Sequence, residues 1–222
     1  MGRLFGAVAL IVVTAGGAVA QAPGLPVINS GTSRGFTLAG MGGFGNDGAG
    51  SGTAVGVSGN YGMRRVAVGG FVSTVSGSSG ADGSYQAAGA TLAVKVLGGP
   101  LVPVSLNLHT GVGYSAPGYS LTGGSGATKN KTWQVPVGLG IAWVFPQPVV
   151  ALKPWLAPRA DVVRVSGPGP GSRTDTNFAL SGGVNLGFLN GLGVDVAFDR
   201  VFSSGLGPKP LILGLGLSYS FK

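Results

Sequence analysis

The strongest constraint on this chain is its C-terminal stretch, residues 211–222. One row of alternate positions holds Leu211, Leu213, Leu215, Leu217, Tyr219 and Phe221; the other holds Ile212, Gly214, Gly216, Ser218 and Ser220. Side chains alternate faces along a strand, so the segment has one apolar, aromatic-tipped face and one small, mostly polar face. Such a strand suits a wall with lipid on one side and polar space on the other.

The same alternation recurs along the chain. Ten strands are expected, at roughly 33–44, 52–61, 65–76, 84–97, 103–115, 131–145, 152–165, 176–188, 191–201 and 211–222. The sixth has an unbroken outer row of Trp133, Val135, Val137, Leu139, Ile141, Trp143 and Phe145. The seventh carries Pro154 and Pro158 and should hold a bulge or irregularity, because proline gives the ladder no donor. Short connections near 62–64, 98–102, 146–151 and 189–191 alternate with longer Gly/Ser-rich ones near 45–51, 77–83, 116–130, 166–175 and 202–210. Asn190-Gly191 favours a tight hairpin. The aromatics sort to two levels of the outer rows. Tyr114, Trp133, Phe178 and Phe198 fall near one rim; Tyr61, Trp143, Phe145, Phe188, Tyr219 and Phe221 fall near the other. Two interfacial girdles around an aliphatic band fit a bilayer, whereas a soluble β-sandwich has no reason to sort its aromatics this way. The expected fold is all-β: a single closed antiparallel up-and-down transmembrane barrel of about ten strands, with eight as the topological alternative.

Residues 1–20 read as a cleaved secretory signal, with Arg3 before a short apolar core and Ala18-Val19-Ala20 at the cleavage site. Residues 21–32 read as a Pro/Gly-punctuated periplasmic leader and 33–222 as the barrel.

The final strand, ending Tyr219-Ser220-Phe221, resembles the C-terminal strand of bacterial outer-membrane β-barrel proteins. As a pattern, the whole mature chain is similar to the small OmpA-, OmpX- and opacity-type barrels. The resemblance implies a Gram-negative outer-membrane location and an assembly signal at Leu215, Leu217, Tyr219 and Phe221. It also implies outer-membrane lipids, lipopolysaccharide included, as surroundings, and periplasmic chaperones and the barrel-assembly machinery as partners in biogenesis.

The chemistry available is narrow. The chain has no cysteine, one histidine and six acids, all aspartate, so thiolate and glutamate mechanisms are excluded. The formal charge of +8 is scattered rather than run together, which argues against nucleic acid. Gly40-Met41-Gly42-Gly43-Phe44-Gly45 contains G-x-G-x-x-G, but another strand pattern follows where a dinucleotide site needs a helix. His109 is the one candidate imidazole. The enzymes among the barrels this chain resembles pair a histidine with a serine two residues on or an aspartate two residues before; around His109 those positions are Gly111 and Asn107. A general base needs a partner that fixes its tautomer and a nucleophile within reach. No catalytic residue, metal site or cofactor is therefore expected. Arg159, Asp161, Asp195 and Asp199, with Lys95 and His109, should face the lumen, where charges removed from water must pair. Either they brace the wall or they form a charged constriction. Small inner residues such as Gly111, Gly138, Gly140 and Gly183 leave open whether water fills the lumen or the barrel flattens. Lys129, Lys131, Arg173 and Lys209, in or beside the longer connections, are either solvated loop charge or counter-ions for lipid phosphates.

The function expected is a non-enzymatic integral barrel with an envelope structural and surface-interaction role. The alternative is a narrow passive pore, similar to porins, for ions or small solutes. A lipid-modifying or proteolytic enzyme built on His109 is the remote third.

Overall fold

The computed structural model describes Leu25 and residues 34–46, 52–76, 84–99, 102–117, 131–145, 149–167, 171–202 and 210–221. The proposed signal peptide, nearly all of the leader, Lys129 and Lys209 lie outside the described residues. Ten strands follow one another: β1 Gly35–Gly45, β2 Thr53–Gly62, β3 Val66–Ser76, β4 Tyr85–Gly99, β5 Val102–Pro117, β6 Lys131–Trp143, β7 Val150–Ser166, β8 Ser172–Phe188, β9 Leu192–Val201 and β10 Leu211–Phe221. Each pairs antiparallel with its sequence neighbours, and β1 pairs with β10, closing a barrel with no free edge. Ten strands, not eight, make the wall. Closure runs from Phe36 opposite Phe221 to Gly45 opposite Ile212, with Thr37 and Ser220 joined through their hydroxyls at 3.0 Å.

The alternation sets the two faces. In β10, Leu213, Leu215, Leu217, Tyr219 and Phe221 are exposed on the outside, while Ile212, Gly214 and Gly216 are buried on the inside. In β6, Trp133, Val135, Val137 and Leu139 point outward and Pro136, Gly138, Gly140 and Ala142 inward. Aliphatic and aromatic side chains thus dominate the exposed outer surface, and the inner face carries the small and polar side chains together with a few large apolar ones, Phe71, Trp155 and Ile212 among them. The G-x-G-x-x-G stretch is part of β1, with no helix after it.

The aromatics sit as the alternation requires. Tyr114 and Trp133 stack at 4.8 Å, and Phe178 meets Phe202 at 5.9 Å. At the rim that carries both Gly35 and Phe221, Phe221 touches Tyr219 at 4.8 Å and Phe36 at 5.9 Å. Phe198 leans over Gly182 on the outer face beside Leu156. Phe36, Phe44 and Phe202 join these exposed outer aromatics.

Three local features differ from the expectation. Of the bulge or irregularity foreseen in the seventh strand, no bulge forms, but the ladder to β6 is interrupted at Pro158. Pro154 and Pro158 of β7 pair in unbroken register with Val184 and Leu180 of β8. Toward β6 the register also holds, but no pairs form between Gly138–Arg159 and Ile141–Leu156, where the ring of Pro158 replaces a donor. The register shift lies instead in β4, between Lys95 and Gly99. The hairpin of β7 and β8 is also longer than expected: Val165 pairs with Arg173 and Ser166 with Ser172. Arg173 therefore belongs to a strand, where its Nε meets Asp175 Oδ2 at 2.9 Å. The Asn-Gly hairpin forms as expected, with Gly191 at φ 89° and the Leu192 N–H donating to Asn190 Oδ1 at 3.1 Å. Residues with a Cβ rarely adopt that φ, which is why glycine stands there.

Candidate functional site

The inner rows of β7, β8, β9 and β10 build one charged wall of the lumen. Parity along β7 places Lys153, Trp155, Ala157, Arg159 and Asp161 inward. Across the sheet, β8 offers Ser181 and Asn185, β9 offers Asp195 and Asp199, and β10 offers Ser218. Arg159 sits between two carboxylates. Its Nε donates to Asp161 Oδ1 at 2.9 Å and Oδ2 at 3.1 Å. Its Nη1 and Nη2 form a fork on Asp199, at 2.6 Å to Oδ1 and 3.0 Å to Oδ2. Ser181 Oγ donates to Asp199 Oδ1 at 2.5 Å and also receives Arg159 Nη1. Arg159, Asp161 and Asp199 are each 2% exposed. The planar guanidinium, with its fixed fork of donors, is the side chain that can bond both carboxylates at once.

A second group lies further along the same wall. Asp195 accepts from Asn185 Nδ2 and, at 3.2 Å, from Ser218 Oγ. Lys153 is within electrostatic reach of both Asp195 and Lys95. The six residues expected in the lumen do all face it, but they do not form one network. Arg159, Asp161 and Asp199 form the first cluster. Asp195 belongs to the second, and Lys95 lies within reach of that cluster's Lys153. His109 belongs to neither. Lys153 was missed, although it shares parity with Arg159; the prolines at Pro154 and Pro158 obscured the alternation. Ser181, Asn185 and Ser218 lie on the inner rows, and only the register shows which aspartate each bonds.

Among the described residues, every aspartate (Asp161, Asp175, Asp195 and Asp199) lies on an inner row. The charged residues on the outer rows, Lys131, Arg164 and Arg200, are all basic and exposed. Arg200 stacks over Phe202 at 5.6 Å.

His109 lies over Gly138 of β6, beside Arg159. A Cβ on Gly138 would come within 2.5 Å of His109 Nε2 and 2.6 Å of Arg159 Cβ, so only glycine leaves the imidazole room. Neither ring nitrogen has a hydrogen-bond partner, nor do Asn107 Oδ1, Asn107 Nδ2 and Trp155 Nε1. Asn107 and His109 are 0% and 5% exposed. The same arrangement, a side chain laid over a neighbouring strand's glycine, recurs elsewhere. The Phe71 ring covers Gly89, Ser218 covers Gly193, and a hydrogen bond of 3.2 Å from Thr91 to Asn60 crosses Gly69. Inner glycines thus let side chains lie along the wall. Among the described residues, no group of three potential metal-ligating side chains gathers.

No protein-family model matches the chain, and no curated protein matches it. It is similar to several solved structures. One is the outer membrane enzyme PagL, at 13% identity and a TM-score of 0.42, covering 83% of this chain and 99% of that one. Another is the N-terminal β-barrel domain of Pseudomonas aeruginosa OprF, at 12% identity and 0.37, covering 85% and 100%. A third is Neisserial surface protein A, at 12% identity and 0.37, covering 85% and 98%. At these identities no residue role passes from one chain to the other.

Proposed function

We propose that the chain is an integral outer-membrane barrel with a closed lumen, non-enzymatic, which holds its longer connections at the cell surface as a structural and surface-interaction element of the envelope. The observation that carries this reading is the buried triad of Arg159, Asp161 and Asp199. A charged constriction that filtered ions would keep its charges wetted. These three are sealed and neutralise one another as far as one arginine can. Around them Asn107, Ala142, Trp155, Ala157 and Ser181 are also buried, which supports a closed lumen at this level. His109 supports no catalytic reading: its flanking inner positions are Asn107 and Gly111, and the charged neighbour over Gly138 is a cation.

The outer surface suits a bilayer, with exposed Val135, Val137, Leu139, Leu213, Leu215 and Leu217 between aromatic rims. The outward-facing Lys131 and Arg164 lie at the ends of β6 and β7, on the rim opposite the chain ends, with Arg200 at the same end of β9. Phosphates of outer-leaflet lipids, lipopolysaccharide included, are their natural counter-ions. In this reading the rim with Gly35 and Phe221 faces the periplasm, and Leu215, Leu217, Tyr219 and Phe221 present the row that assembly machinery would engage.

The pore reading draws on the inner glycines. It is opposed by the way Phe71, His109 and Ser218 cover Gly89, Gly138 and Gly193. Single-channel recording separates the two. The refolded chain, shown to be inserted in a planar bilayer, is expected to give no conductance steps; stable steps that scale with salt would replace this proposal with the narrow pore.

A further inference from the structure

The lumen wall opposite the charged cluster is apolar. Phe71 and Val75 of β3 and Ala54 of β2 are buried on the inner face, with Met41 of β1 and Tyr85 of β4 packed beside them. A lumen facing water would not be expected to hold such a patch. Its covering is Leu25, which lies ahead of the first strand, is 1% exposed and belongs to the same cluster. Its seat is cut by Gly56. A Cβ on Gly56 would lie 2.7 Å from Leu25 Cδ1, in the space that the leucine uses.

The location matters as much as the contact. β1 begins at Gly35 on the rim that also carries Phe221, and Met41 stands well up that strand. Six strand residues span roughly 20 Å. Leu25 precedes Gly35 by ten positions, and that much chain reaches at most roughly 35 Å. The tether is therefore long enough for Leu25 to enter the lumen from the rim at Gly35 and reach its seat.

From these positions we infer that the patch of Ala54, Phe71 and Val75, opened by Gly56, is an intramolecular docking site whose occupant is the aliphatic side chain of Leu25. The chain ahead of β1 is held inside the barrel at this point. The tether keeps the effective concentration of the occupant high, so one modest apolar contact is enough to keep the seat filled. The inference goes beyond the closed-lumen reading, because a docked Leu25 is compatible with either a silent or a conducting barrel.

The natural absence of cysteine gives a clean test. Full-length chains carrying Leu25→Cys with Ala54→Cys are exported, purified folded and oxidised. Leu25→Cys with Ser218→Cys, on the charged wall, serves as the placement control. The first pair is expected to form its internal disulfide at least about ten times faster than the second, seen as a mobility shift on non-reducing gels, with mass analysis establishing that residue 25 is retained. Equal rates, or no disulfide in the first pair, would overturn the inference, as would a mature chain from which residue 25 has been removed. If either pair fails to fold, the single Leu25→Cys variant decides. Protection of that thiol from a membrane-impermeant maleimide until the barrel is unfolded supports docking, and rapid labelling of the folded protein refutes it.

Discussion

Arg159→Ala is expected to destabilise the folded barrel by about 3–5 kcal/mol, the cost of leaving a buried charge without its partner. The substitution leaves Asp161 and Asp199 buried with the fork that joined them gone, and Ser181 cannot replace it. Arg159→Lys should fall between, because an ammonium cannot bond two carboxylates in a planar fork. The triple variant Arg159→Met, Asp161→Asn, Asp199→Asn should recover most of the loss, since removing all the buried charge can be close to neutral. Urea unfolding in lipid vesicles, followed by tryptophan fluorescence, reads all four proteins. An Arg159→Ala loss within about 0.5 kcal/mol, the range of ordinary surface changes, would mean that the triad is solvated and the lumen wet.

The second large effect is on the opposite face. Val137 stands at the middle of β6 on the outer row, and Val137→Arg is expected to cost about 2–4 kcal/mol in a bilayer. Thr53→Arg, on the outer row at the end of β2, should cost close to nothing, because the penalty for a cation falls away near the interface. A soluble β protein would show no such dependence on depth: Val137 is 48% exposed, and a surface change there should stay within about 0.5 kcal/mol. Equal effects at the two positions would remove the membrane assignment.

Much of this structure was legible because a strand has only two faces. Once Leu211–Phe221 was read as one greasy and one small row, the same parity placed Val135, Val137 and Leu139 outside and Asp195 and Asp199 inside. The tight turn at Asn190-Gly191 followed from backbone conformation alone. Parity fails where both rows are apolar. In β3, Val66, Val68 and Val72 alternate with Ala67, Phe71 and Val75, so the sequence gives no reason to see an apolar lumen wall. It appears only when register brings Gly89 beneath Phe71 and Gly56 beneath Leu25. Lys153 was hidden for a different reason, since two prolines broke the apparent strand around it. The shift in β4 is of a third kind: Val96 and Leu97, just after Lys95, are consecutive and both exposed, a local departure from alternation.

In the proposed barrel one row of each strand meets lipid while the other is sealed from water on both sides. Single cysteines test both parts in a chain that has none of its own. They would be placed at Val135, Val137 and Leu139 on the outer row and at Ala142, Ala157 and Ala179 on the inner one, in protein reconstituted into vesicles. A fluorophore on each outer cysteine should be quenched by nitroxide-labelled lipid, and the inner cysteines should resist a charged, membrane-impermeant thiol reagent supplied on both sides. Outer positions untouched by the lipid quencher, or inner positions modified as fast as an exposed control, would contradict the account.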